Sequence, residues 1–214
     1  MNKSPDKEKE IKIKKAKVQH LAPPFNGCAW DCEEGFINVD IAQFKGKYLV
    51  LFFYPMDFTF VCPTEILEFE RLFDKFKEIN CALLAVSCDT QYTHMEFAAK
   101  KRTLGGLENV RFPLLADVTK NISRMYRALV TDGKDEGVCF RATYIIDDKQ
   151  IIRHMTIGDL PVGRNAEEVL RLVQAFQHAD KYGEVCPSGW KKGTKGIIPN
   201  HEADQTKKYF ASVK

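Results

Sequence analysis

The chain has 214 residues, apolar and charged fractions of 44% and 29%, and a formal net charge of +3, values that suit one globular domain with tails and exclude a fibrous or wholly disordered chain. Residues 1–17 hold seven Lys against Asp6, Glu8 and Glu10, so the charge sits in an arm. The near-neutral body gives a nucleic-acid function no electrostatic support.

No apolar run approaches a membrane span. The N-terminal stretch lacks an apolar signal core, its first arginine is Arg71, and the chain closes on Ser-Val-Lys; a cytoplasmic location is expected. Seven cysteines form no CxxC pair. In that compartment cysteines point to transient redox chemistry rather than a disulfide scaffold. Only Cys28 and Cys32 come near metal-ligand spacing, and no metal is expected.

Composition divides the chain into a charged arm (1–17), a body (18–182) and a Gly-, Pro- and Lys-rich tail (183–214) that cannot build its own core. Residues 18–47 read as an irregular start and short strands, with Ile41, Ala42 and Phe44 in a short helix or turn. Cys28 and Cys32, either side of Trp30, read as incidental thiols of a hairpin. Tyr48–Tyr54 is a continuous apolar run, a buried strand broken by Pro55 and Asp57. Ile66, Phe69, Leu72, Phe73, Phe76 and Ile79 recur at helical steps, which predicts one helix over 66–79. Cys62 then falls in the first turn of that helix. Thr59 is its candidate N-cap, and Pro63 is tolerated because first-turn amides lack helical partners. Those amides and the helix dipole favour an anion, here a thiolate.

The next run, 81–87, is a second buried strand, so the unit is βαβ with parallel strands and a right-handed crossover. Cys81 reads as a small core residue. Cys88, at the strand's end, has no neighbour in sequence that would activate it. A helix is predicted over 90–102, with His94 in a structural or contact role, and a turn at Gly105-Gly106-Leu107. Residues 112–115 suggest an edge strand, 121–129 a helix, and 131–137 a polar loop. An antiparallel hairpin spans 142–147 and 150–157. Residues 166–178 form an amphipathic helix with Val169, Leu170, Leu172, Val173 and Phe176 on its apolar face.

Pro55-x-x-x-Thr59-x-x-Cys62, within FFYPMDFTFVCPTE, resembles the active-site signature of the peroxiredoxins. PLLAD (113–117), YIID (144–147), DLPVGR (159–164), EVCPSGW (184–190) and Tyr209-Phe210 extend the resemblance to the typical two-cysteine subfamily, over about residues 18–210. The resemblance implies a thioredoxin-like α/β fold, a central mixed sheet flanked by helices with an extended C-terminal tail, which the order of predicted elements fits.

It also implies a thiol peroxidase without cofactor, acting on hydrogen peroxide and small alkyl hydroperoxides. Cys62 would attack the terminal peroxide oxygen and become a sulfenic acid. Thr59 would contact the peroxide, Pro55 would shape and dry the pocket, and Glu65 would orient the arginines. Arg141 would hold the thiolate and polarise the O–O bond, with Arg164 behind it. Cys186 is implied as the resolving cysteine, reached from the other subunit of a homodimer, with a decameric ring as the larger assembly and a thioredoxin-type reductant. The residues alone leave plainer readings open: a structural Cys62, a surface ion pair at Arg141, and a tail thiol at Cys186 beside a packed Trp190.

Two rival functions remain. One is a redox-switched holdase or peroxide sensor. The other is a disulfide oxidoreductase, for which Glu65 stands where the second cysteine of CxxC belongs. Overoxidation-sensitive family members pair a GGLG-like loop with a terminal Tyr-Phe; here the loop ends in Glu108, which costs energy if its φ is positive.

Overall fold

The computed structural model describes residues 15–212; the sequence arm therefore lies outside it except for its last three residues. Of these, Ala16 is buried and its amide donates to the Met125 carbonyl, so packing begins inside the stretch that composition assigned to the arm.

The strands are β1 (Asn26–Asp31), β2 (Gly35–Asp40), β3 (Tyr48–Phe53), β4 (Cys81–Ser87), β5 (Leu114–Ala116), β6 (Arg141–Ile146) and β7 (Ile152–Gly158). They form one sheet in the order β2-β1-β5-β4-β3-β6-β7. The central pairs β3–β4 and β4–β5 are parallel, and the outer pairs are antiparallel. Central β3 is buried along its whole length, as its unbroken apolar run requires. Its alternate residues divide between two cores. Val50 and Phe52 join one with Ile66, Phe69 and Val173; Leu49, Leu51 and Phe53 join the other with Tyr126 and Tyr144.

The helices are α1 (Val61–Arg71), α2 (Phe73–Glu78), α3 (Gln91–Ala99), α4 (Asn121–Met125), α5 (Ala166–Tyr182) and α6 (Asp204–Ser212). Among the described residues no helix is long and apolar enough to cross a membrane.

Several sequence expectations need correction. The helix predicted over 66–79 is two helices, because Leu72 leaves α geometry at φ −97° and ψ 1°. The apolar face survives the break: Ile66, Phe69, Leu72 and Phe76 all stay fully buried. The run at 112–115 does not make an edge strand, since β5 sits between β1 and β4. Helix α3 stops at Ala99 because Lys100 is extended. Helix α4 stops at Met125. Arg127 then takes φ +58°, and Tyr126 is buried with its hydroxyl donating to Pro23 O at 2.7 Å. Helix α5 runs four residues past the predicted end, until Gly183 at φ +66° turns the chain.

The tail lies on the domain. Trp190 is buried, its ring meets His178 of α5 at 4.9 Å, and Arg171 donates to its carbonyl at 2.9 Å. Gln205 and Thr206 of α6 bond to Glu184, Gly196 and Ile198.

The loop after α3 holds a backbone conflict. Glu108 has φ +56°, where an L side chain is strained. A Cβ on Gly106 would fall 2.2 Å from Lys100 O, so this position admits only glycine. Glu108→Gly should therefore raise unfolding stability by about 0.5–1 kcal/mol, after the entropy of the freer unfolded chain is subtracted. Gly106→Ala should lower it by roughly 1–3 kcal/mol. Urea midpoints of the two variants measure both.

Candidate active site

The site forms where β3 gives way to α1. Pro55 is buried just past the strand. The loop beyond it is held by Asp57, whose amide donates to Asp89 Oδ2 at 3.0 Å. Its carboxylate accepts from the Tyr54 hydroxyl at 2.7 Å and meets His94 Nδ1 at 2.8 Å. His94 is fully buried, which fits its expected structural role. This knot keeps Phe58 at φ +55°, an unusual conformation for an aromatic residue, with its ring edge-on to Phe97 at 5.0 Å.

Helix α1 begins at Val61, so Cys62 is its second residue, in the first turn as predicted. The predicted cap is corrected. Phe60 holds the N-cap position without any side-chain hydrogen bond, and Thr59 Oγ1 donates instead to Met56 O at 2.9 Å. Thr59 stays beside the loop, outside the ion cluster described next.

Glu65 is one turn beyond Cys62 on the same helix face. Both are buried, and with them Arg141, the first residue of β6. Arg141 Nη1 lies 3.5 Å from Cys62 Sγ and 2.5 Å from Glu65 Oε2, while its Nε donates to Leu160 O at 2.7 Å. Arg164, from the loop before α5, donates to Glu65 Oε1 through both its amide and Nε, each at 2.7 Å. Its Nη1 donates to Phe53 O at 2.8 Å and Ala142 O at 2.9 Å, tying the cluster to β3 and β6. Gly163 makes this approach possible: a Cβ there would stand 3.2 Å from Val61 Cγ1 and 3.4 Å from Glu65 Cγ.

Burial opposes the charge on Glu65, but the hydrogen bonds and charge of Arg164, reinforced by Arg141, outweigh it and hold the carboxyl below its ordinary range.

The structure thus brings Cys62, Glu65, Arg141 and Arg164 together, and Pro55 is buried between β3 and the loop that leads to α1. It does not bring Cys186 to them. Cys186 is a partly exposed free thiol against α5, with Sγ 3.4 Å from Ala175 O. Arg164 stands behind Arg141 on Glu65, where sequence reasoning put it; the Tyr54–Asp57–His94 knot was missed. The Tyr-x-x-Asp spacing was the available signal.

The AhpC/TSA family model matches residues 18–155, well over half of the chain. The chain belongs to the peroxiredoxins. A second model, the C-terminal domain of 1-Cys peroxiredoxin, matches residues 175–212. Peroxiredoxin-2 of Macaca fascicularis is 48% identical over 196 residues, covering 92% of this chain and 96% of the relative. Peroxiredoxin of Cynops pyrrhogaster is 48% identical over 200 residues, covering 94% and 98%. The reduced 2-Cys peroxiredoxin of Plasmodium vivax superposes with a TM-score of 0.86 at 39% identity, covering 92% of this chain and all of that one. The thioredoxin-like fold and the two-cysteine peroxiredoxin family expected from the sequence both hold, and the enzyme is a thiol peroxidase.

Two substitutions test the cluster. Arg141→Lys keeps a charge but loses the planar fork, and kcat/KM for hydrogen peroxide should fall about 10²–10³-fold in a stopped-flow assay. Glu65→Gln leaves two buried guanidiniums without their anion and should cost about 3–5 kcal/mol at neutral pH. The folded state depresses the Glu65 pKa, so this contribution is present above the unfolded value and lost as pH falls through the folded one. The gap between wild type and variant in urea denaturation should accordingly narrow below about pH 4.

Proposed function

We propose that Cys62 is the peroxidatic thiol and Cys186 the resolving thiol of a second subunit, and that a thioredoxin-type protein returns the enzyme to its reduced state in the cytoplasm. The observation that carries this reading is Arg141 Nη1 at 3.5 Å from a buried Cys62 Sγ. The guanidinium donates toward the attacking sulfur and to the peroxide as the O–O bond breaks. Electrons flow from sulfur to the terminal oxygen, the O–O bond breaks, the other oxygen leaves and takes up the proton the thiol released to become water or alcohol, and sulfur keeps the terminal oxygen as sulfenic acid. Pro55 adds no proton donor or acceptor to the wall, and the Thr59 hydroxyl turns to the peroxide when substrate enters. Full burial of Cys62 favours hydrogen peroxide and small alkyl hydroperoxides over bulky ones.

Cys186 then attacks the sulfenic sulfur, and water leaves as the disulfide forms. A homodimer brings the two sulfurs together, and dimers can assemble further into a decameric ring. Exposed apolar side chains beside the site, Phe60 at 93% and Val162 at 74% relative exposure, support association of copies there. Glu65, engaged by two arginines, occupies the position that a CxxC oxidoreductase gives to its second cysteine, which argues against that rival.

A non-reducing gel after one equivalent of hydrogen peroxide tests the assignment. Wild type should shift to a covalent dimer, and Cys62→Ser and Cys186→Ser should each abolish the shift. A covalent dimer persisting in Cys186→Ser would move the resolving role to another thiol.

A further inference from the structure

Beyond the Cys62–Cys186 chemistry, the fold brings two other cysteines together. Cys88 follows the last residue of β4, and Cys139 stands two residues before β6, 51 positions along the chain. Their sulfurs are 3.5 Å apart. Cys139 is fully buried, whereas Cys88 is partly exposed. The second position is fixed by a short ladder: Cys139 bridges Leu129, and Val130 N donates to Val138 O at 2.9 Å.

A third group borders both sulfurs. The Ser123 hydroxyl donates to Asp117 Oδ2 at 2.7 Å, and the same carboxylate takes the Ile122 and Ser123 amides. Ser123 Oγ also stands 3.1 Å from the Cys139 sulfur and 3.8 Å from the Cys88 sulfur. The Cys139 proton is placed to bridge to the Cys88 sulfur 3.5 Å away, and Cys88, the less buried of the two, is the sulfur placed to meet a peroxide. The hydrogen bond from Cys139 pulls the Cys88 thiol below its ordinary range, and Ser123 and Lys120 add to this, while burial and Asp117 oppose it. The Cys139 thiol is pushed the other way, first by its bond to Cys88 and then by burial. One partly exposed, more acidic thiol beside one buried, less acidic thiol is the division of roles that disulfide formation needs.

We propose that Cys88 and Cys139 are a second redox pair, which hydroperoxide oxidises to an intrachain disulfide without the participation of Cys62. The Cys88 thiolate attacks the terminal peroxide oxygen; the O–O bond breaks, the other oxygen leaves as water or alcohol, and Cys88 becomes a sulfenic acid. Cys139 attacks that sulfur, the S–S bond forms and the S–O bond breaks, and the departing hydroxide takes the Cys139 proton as water. The two thiols supply two electrons, and the peroxide accepts both. Closing the sulfurs to about 2.05 Å needs a shift of about 1.5 Å, within reach of side-chain rotation and a small movement of the 128–140 ladder.

The test uses the full chain as Cys62→Ser/Cys186→Ser, which removes the peroxidatic pair and leaves both thiols in question unaltered. The protein is treated with excess hydrogen peroxide, alkylated, digested without reductant and mapped by mass spectrometry. Joined peptides carrying Cys88 and Cys139, in a chain still monomeric on a denaturing gel and restored by dithiothreitol, are the expected result. Adding Cys139→Ala should abolish the link and leave Cys88 as a sulfenic acid trapped by dimedone. The proposal is overturned if both thiols remain alkylated after treatment, or if Cys88 is joined to any cysteine other than Cys139. Mapping of the double variant changes neither thiol, so it decides the question even where the triple variant folds poorly.

Discussion

The buried Glu65 carboxylate is the constraint on which the active site rests. It accepts from Arg141 and from both the backbone and side chain of Arg164, at distances of 2.5–3.0 Å. Those partners come from β6 and from the loop before α5, while Glu65 itself belongs to the helix that carries the nucleophile. One carboxylate thus sets the distance between three elements far apart in sequence. Such a cluster is expensive to bury, and breaking it by removing one partner costs more than never having built it. Its stability value is therefore secondary to the register it imposes.

Charge accounting explains why two arginines are present. Arg141, Arg164 and Glu65 together leave one positive charge in a region closed to water. In the proposed reaction that charge faces the Cys62 sulfur, which Arg141 touches at 3.5 Å. The two guanidiniums divide the work: Arg164 spends its donors on Glu65 and on the carbonyls of β3 and β6, whereas Arg141 is the one turned to the sulfur. As the peroxide bond breaks, negative charge moves from sulfur to the leaving oxygen. A donor fixed beforehand between those positions stabilises the transition state without reorganising.

Much of this was legible in the chain because it rests on local pattern. The unbroken apolar run at 48–54, the helical spacing after it and the cysteine between them place the nucleophile, and β3, β4 and the β6–β7 hairpin follow from strand patterns. The failures share a physical cause. The break at Leu72 and the insertion of β5 between β1 and β4 depend on partners remote in sequence, which periodicity does not encode. Thr59 looked like a cap by residue type, but its hydroxyl found a nearer acceptor in Met56 O. Cys88 read as unremarkable because Cys139 and Ser123, which surround it, are 51 and 35 positions away.

The first turn of α1 shows how site stability and turnover oppose each other. It has no side-chain cap, and the preceding loop carries Phe58 at positive φ under the restraint of Asp57. A missing cap forgoes about 1 kcal/mol. The turn is held by the burial of Cys62 and its contact with Arg141, with Glu65 three residues on fastened by both arginines. In the proposed reaction the oxidised sulfur must leave the pocket to meet Cys186, which is held against α5. A turn fastened by the nucleophile itself, rather than by a cap independent of it, is stable while the sulfur is reduced and free to open after the sulfur has reacted.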